Sequence, residues 1–211
     1  LMATYSSIRY NFPVATATTS AQVGAGAMTL IKSIDSDGSD ATISFVDGAS
    51  SVVLDNTYKN YLFKFISVHS EEDDRNFQFN GRDGGSDYDA TKTTTVFSCF
   101  HKEGAGGTTE ELAYQSGQDS AQQTGFQNLN FRSSNDNDAG ISGWLWLSNP
   151  SSTTYTTHFM AIQNNHETTD VASMVFYTAG YFNVTAAIDA MQFKFSSGEI
   201  QGGTINLYGI K

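Results

Sequence analysis

The side chains able to do chemistry in this chain are few and widely spaced. Asp35-Ser-Asp37-Gly-Ser-Asp40 sets three carboxylates around a glycine. The spacing is similar to that of a calcium loop, since oxygen ligands on a tight turn suit a hard cation. It lacks the bidentate Glu that closes an EF-hand, and it falls between strand-like runs instead of helices. An acidic turn is the plainer reading, with calcium held by Asp35, Asp37 and Asp40 as the alternative. Glu71-Glu-Asp-Asp74 and Asn135-Asp-Asn-Asp138 are charge runs of the kind found in solvated turns. His69, His101, His158 and His166 make no H-x-H, H-x3-H or HExxH pattern, and Cys99 is the single thiol, so convergent zinc ligands are not expected. Cys99 lies in the apolar run Val96 to Phe100 and reads as a small buried hydrophobe.

The patterns of the common hydrolases are missing as well. A β-sandwich glycosidase would place paired carboxylates inside an aromatic strand, whereas Asp189 stands alone near a strand start. No G-x-S-x-G elbow occurs, and the glycine runs Gly81 to Gly85 and Gly104 to Gly107 open no helix that would cradle a phosphate. The chain therefore reads as non-enzymatic. Trp144 and Trp146 share one face of a strand. Core filling is their plainer role, and a flat platform on which sugar rings stack is the functional one.

Composition sets the frame for these groups. The chain has 211 residues, of which 39% are hydrophobic and 13% aromatic, enough to build one packed domain. Charged residues make up only 16%, with Thr, Ser, Asn and Gln as the other polar side chains. Asp and Glu number 22 against 11 Lys and Arg, giving a formal charge of -11. So acidic a chain repels phosphate backbones and anionic membrane surfaces, which argues against nucleic acid and membrane as partners. No apolar stretch reaches the roughly 18 to 20 residues of a membrane span. Leu1 to Ser6 shows neither a basic region nor an apolar one, so no secretory leader is expected there, and Met2 reads as the natural start.

The elements that must position these residues alternate with period two. Met28–Ile34, Ala41–Phe45, Tyr61–His69, Arg75–Asn80, Thr93–Lys102, Gly125–Arg132, Ser142–Ser148, Tyr155–Gln163, Val171–Phe182, Ala190–Phe195 and Thr204–Ile210 read as strands. Thr109–Tyr114 is the best helical stretch, and it is barely a turn and a half long. Aromatic-x-aromatic triplets recur at Phe63/Phe65, Phe77/Phe79, Trp144/Trp146 and Phe193/Phe195. Short strands at this spacing predict an all-β fold, an antiparallel β-sandwich of jelly-roll-like form, as a single domain over residues 28–211. Residues 1–27 form an extended N-terminal arm, broken by Pro13 and ending in the hinge-like Val23-Gly-Ala-Gly-Ala27. The arm packs either on its own sandwich or on a neighbouring subunit.

Several segments resemble a group of marine tailed-phage virion proteins. They are Met2 to Phe12, Tyr61 to Ile66 followed by Asn76 to Gly81, Thr91 to Thr95, Asn149 to Thr154, and the ending Gly203 to Lys211. The resemblance implies a structural or decorating component of the particle, located in the virion after assembly in the host cytoplasm, and leaves head, tail and fibre open. Other virion proteins and copies of the same chain would be its partners. Tyr5, Ile8, Tyr10 and Phe12 would then anchor the arm in a neighbour's groove, with Arg9 adding a charge-assisted bond. A capsid decoration or surface protein is the favoured role. The alternative is a carbohydrate-binding adhesin or tail-fibre module that recognises host surface glycans. Aromatic strand faces left uncovered would argue for a higher assembly.

Overall fold

The computed structural model describes residues 27–104, 110–168 and 172–211. Among them the chain forms strands and no helix. The strands are β1 (Met28–Asp35), β2 (Ile43–Val46), β3 (Asn60–Ser70), β4 (Phe77–Arg82), β5 (Lys92–Lys102), β6 (Glu110–Tyr114), β7 (Gln127–Asn128), β8 (Ile141–Ser148), β9 (His158–Glu167), β10 (Ala172–Phe182), β11 (Ala190–Phe195) and β12 (Ile200–Ile210). They build two antiparallel sheets, an eight-stranded one in the order β1-β12-β3-β8-β9-β10-β5-β6 and a four-stranded one in the order β2-β11-β4-β7. The fold is the expected β-sandwich.

The sheets are joined by a layer of phenylalanines. Alternation turns Tyr61, Phe63 and Phe65 of β3 inward, while β11 sends Phe193 and Phe195 to meet them. Phe193 lies at the centre, with ring centroids 5.2 Å from Phe63, 5.3 Å from Phe65 and 6.0 Å from Phe77. Phe45 of β2 meets Phe63 edge-on at 5.3 Å, and Phe79 of β4 meets Phe159 of β9 at 5.0 Å. Such tilted and edge-on pairs add a directional preference to the burial of large rings.

Four strands do not cover eight. Beyond β9 the inner face of the large sheet is closed by the segment 115–134, and there buried polar side chains stand beside a second apolar cluster of Val96, Met174 and Phe176, on which Phe131 packs. Thr94 Oγ1 donates to Gln127 Oε1 at 2.8 Å, Gln115 Nε2 to Ser98 Oγ at 2.9 Å, and Asn165 Nδ2 to the Phe131 carbonyl at 3.2 Å. A buried loop exposes backbone groups that no ladder satisfies, so hydroxyls and amides join the apolar side chains opposite it.

Two expectations change in detail, and a bulge interrupts one of the expected strands. Glu110–Tyr114 is an edge strand paired with β5, because its alternation matches the open β5 edge from Phe97 to His101. Only Gln127–Asn128 of the run 125–132 pairs as a strand, since the segment bends across the end of the small sheet. The β3–β8 register shifts between Phe65 and Val68, where Ser67 has a φ of 47°. Gly203 faces this bulge with a φ of 101°, and a Cβ there would lie 2.4 Å from the Ser67 carbonyl oxygen, so only glycine fits. Phe193→Ala is expected to lower unfolding stability by about 3–5 kcal/mol, read by urea denaturation, because it empties the centre of the inter-sheet layer.

Candidate functional site

The outer face of the large sheet carries the most distinctive chemistry of the molecule. Cross-strand register sets its side chains in rows. One runs Leu30, Tyr208, Leu62, Trp146, Met160, Ala179, Thr95, and the next runs Lys64, Trp144, Ile162, Tyr177, Phe97, Tyr114. Every large hydrophobic side chain that is exposed in the described residues, Tyr155 excepted, belongs to this face: Met28, Leu30, Ile66, Phe97, Leu112, Tyr114 and Met160. The apolar surface therefore spans the full width from β1 to β6.

The two tryptophans lie here, which corrects core filling as their role. Trp144 and Trp146 are half-buried on the opposite side of β8 from the core residues Leu145 and Leu147. Trp146 Nε1 donates to Asn60 Oδ1 and to Ser148 Oγ, each at 3.2 Å, which fixes the ring against its neighbours. Across the face, Phe97 and Tyr177 stack in parallel with centroids 4.5 Å apart. Between these two aromatic walls the small side chains of Thr95 and Ala179 leave a depression. One groove of about 210 Å³ is bounded by Trp144, Met160, Tyr177 and Phe97. Another of about 380 Å³ lies along Trp146, His158 and Tyr181, edged by Thr93 and Ser148. His158 points outward against the Tyr181 ring, with centroids 5.5 Å apart, and no carboxylate lines either groove.

The remaining sequence candidates fall elsewhere. Asp35, Asp37 and Asp40 each turn to a neighbouring hydroxyl or amide instead of grouping around one point. Asp35 Oδ1 accepts from Thr204 Oγ1 at 2.7 Å, Asp40 Oδ2 from the Asp37 amide at 3.1 Å, and Asp37 Oδ1 from the Ser39 hydroxyl and amide at 2.7 and 2.9 Å. The Ser39 hydrogen bonds hold the Asp37 carboxyl below its ordinary value. Among the described residues no three His, Cys, Asp or Glu side chains group as metal ligands. Tyr5, Ile8, Arg9, Tyr10 and Phe12 lie outside the described residues. Cys99 is half-buried on the outer face beside Leu112, not in the core. Asp189 is tied to Arg82 at 2.7 Å, so it faces a cation and not a second carboxylate.

The sequence reading missed Met160, Phe97, Tyr177 and Leu112. A signal for them exists: β10 reads Met174-Val-Phe-Tyr177, apolar at both parities, and a strand apolar on both sides asks for cover on both faces. It also missed Lys92, which is fully buried on the inner face with Nζ donating to the carbonyls of Gly125 at 2.6 Å and Ala90 at 3.2 Å. No family model matches the chain, nor does any curated protein or solved structure. What fold and surface together define is a rigid β-sandwich with one broad aromatic face.

Burial pushes the Lys92 ammonium down to about 8, against a smaller opposing pull from Asp89. In the unfolded chain the amine keeps its higher ordinary value, so between the two the unfolded state holds the extra proton and stability rises with pH. Below about 8 both states are charged and the full cost of burying the cation remains. Urea titrations at about pH 7.5 and about pH 9.5 should therefore show the wild type gaining on the order of 2 kcal/mol relative to Lys92→Met.

Proposed function

We propose that the protein is a non-enzymatic structural component of a virus particle, a capsid decoration or surface protein that docks through apolar contacts. The observation that carries this reading is the outward face of the large sheet, where exposed aromatic and aliphatic side chains stand on five of its eight strands, from β1 at one edge to β6 at the other. Contiguous apolar surface of that breadth marks an interaction site on a soluble body. The segments similar to phage virion proteins supply the particle as the setting. The N-terminal arm, with Tyr5, Ile8, Arg9, Tyr10 and Phe12, is the second element of attachment in this reading. The acidic loops remain at the periphery, where they keep the assembled surface soluble.

The groove at Trp146, His158 and Tyr181 favours a second reading, recognition of a host surface glycan. An indole face next to the Thr93 and Ser148 hydroxyls offers both stacking and hydrogen bonding to a sugar ring.

Two measurements separate these readings. Mass spectrometry of purified particles should find the full chain, and a variant lacking residues 2–27 should fold, by circular dichroism, yet fail to incorporate. Normal incorporation of that variant removes the arm from the mechanism, and absence of the chain from particles removes the structural reading. On a glycan array, binding that Trp146→Ala abolishes would establish the second reading, and silence would weigh against it.

A further inference from the structure

We infer that the outer face of the large sheet docks against the same face of a second copy of this chain. The inference rests on the reading of that face as a docking surface, and it names the partner.

Charge comes first. The chain carries a formal net charge of -11, so two copies repel wherever their acidic loops meet. The outer face is where they do not. Across its rows Lys64 is the only Lys, Arg, Asp or Glu on the central strands, and the face's acids, Asp35 and Glu110, lie on the outermost strands β1 and β6. A basic partner would be drawn to the loops, which leaves the face to an uncharged, apolar occupant. The exposed aliphatic side chains Met28, Leu30, Ile66, Leu112 and Met160 lack the polar handles that a sugar's hydroxyl groups require.

Area and shape agree with a copy of the sheet itself. Eight strands at about 4.8 Å spacing and the length of β8, about 24 Å, give a footprint of roughly 800 Å². That matches the ~800 Å² each partner contributes to a stable interface. The row through β9 also holds both halves of a self-complementary contact. Met160 protrudes, 54% exposed, while Ala179 and Thr95 beside it are small and border a depression. A two-fold axis through this row seats each Met160 in the other copy's depression, as an isologous interface demands.

The test uses the full chain in solution. Light scattering coupled to gel filtration, from about 1 to about 100 µM, should give twice the 22.9 kDa chain mass. Met160→Glu places a charge at the centre of the face without touching the core, and it should weaken association at least about 100-fold. Tyr155→Glu, still more exposed and in the loop before β9 instead of on the sheet, should leave the dimer intact, and circular dichroism should show both variants folded. A monomer throughout the range overturns the inference, as does a dimer that Met160→Glu leaves unchanged. If the wild type is monomeric, yet Met160→Glu blocks entry into particles, the docking reading stands and self-association falls. Loss of glycan binding in that variant, with a monomeric wild type, would assign the face to a sugar instead.

Discussion

Stacking one sheet on another through interlocked phenylalanines is the constraint from which the rest of the molecule follows. Phe193 touches rings from β2, β3 and β4, so both sheets are registered on a single aromatic centre. Because the smaller sheet has four strands and the larger has eight, this registration leaves half of the inner face without a sheet opposite. The segment 115–134 covers the strands beyond β9, where Thr94, Ser98, Gln127 and Asn165 are buried alongside a second, smaller apolar cluster of Val96, Met174 and Phe176. Lys92 sits on the loop side, where the backbone carbonyls of Ala90 and Gly125 accept from its buried ammonium. The outer face has no such solution within the described residues.

Much of this architecture was legible in the primary structure. Period-two alternation located most of the strands, and three of the four aromatic triplets, at Phe63, Phe77 and Phe193, face the core as their spacing implied. The fourth, Trp144 and Trp146, was illegible for a physical reason: periodicity says that two residues share a face, not which face. Leu145 and Leu147 offer an equally apolar alternative parity, and only the register of β8 between β3 and β9 decides in their favour. Lys92 reads as a surface residue among threonines, yet its position opposite Phe182 turns it inward. The Asp35–Asp40 turn shows the opposite failure, since carboxylates with suggestive spacing are each satisfied by a neighbouring hydroxyl or amide.

Charge and apolarity are segregated on the surface more sharply than composition alone would require. Acids crowd the loops, including Glu71–Asp74, Asp83–Asp89 and Asp136–Asp138, while the central strands of the large sheet are almost free of them. Two ion pairs, Arg75 with Glu72 and Arg132 with Asp74, tie loop residues to one another, while Arg82 of β4 pairs with Asp189. The surface is thus divided between a charged perimeter and an apolar face.

The position of the sulfur gives this division a practical side. A chain with one cysteine is normally silent to thiol chemistry when that cysteine fills a core, but Cys99 sits half-exposed beside Leu112, on the apolar outer face of the large sheet. A spin probe or fluorophore attached there would occupy a single known place, with no engineered substitution. The polypeptide thus comes with its own reporter, whose mobility and accessibility track whether anything rests above it.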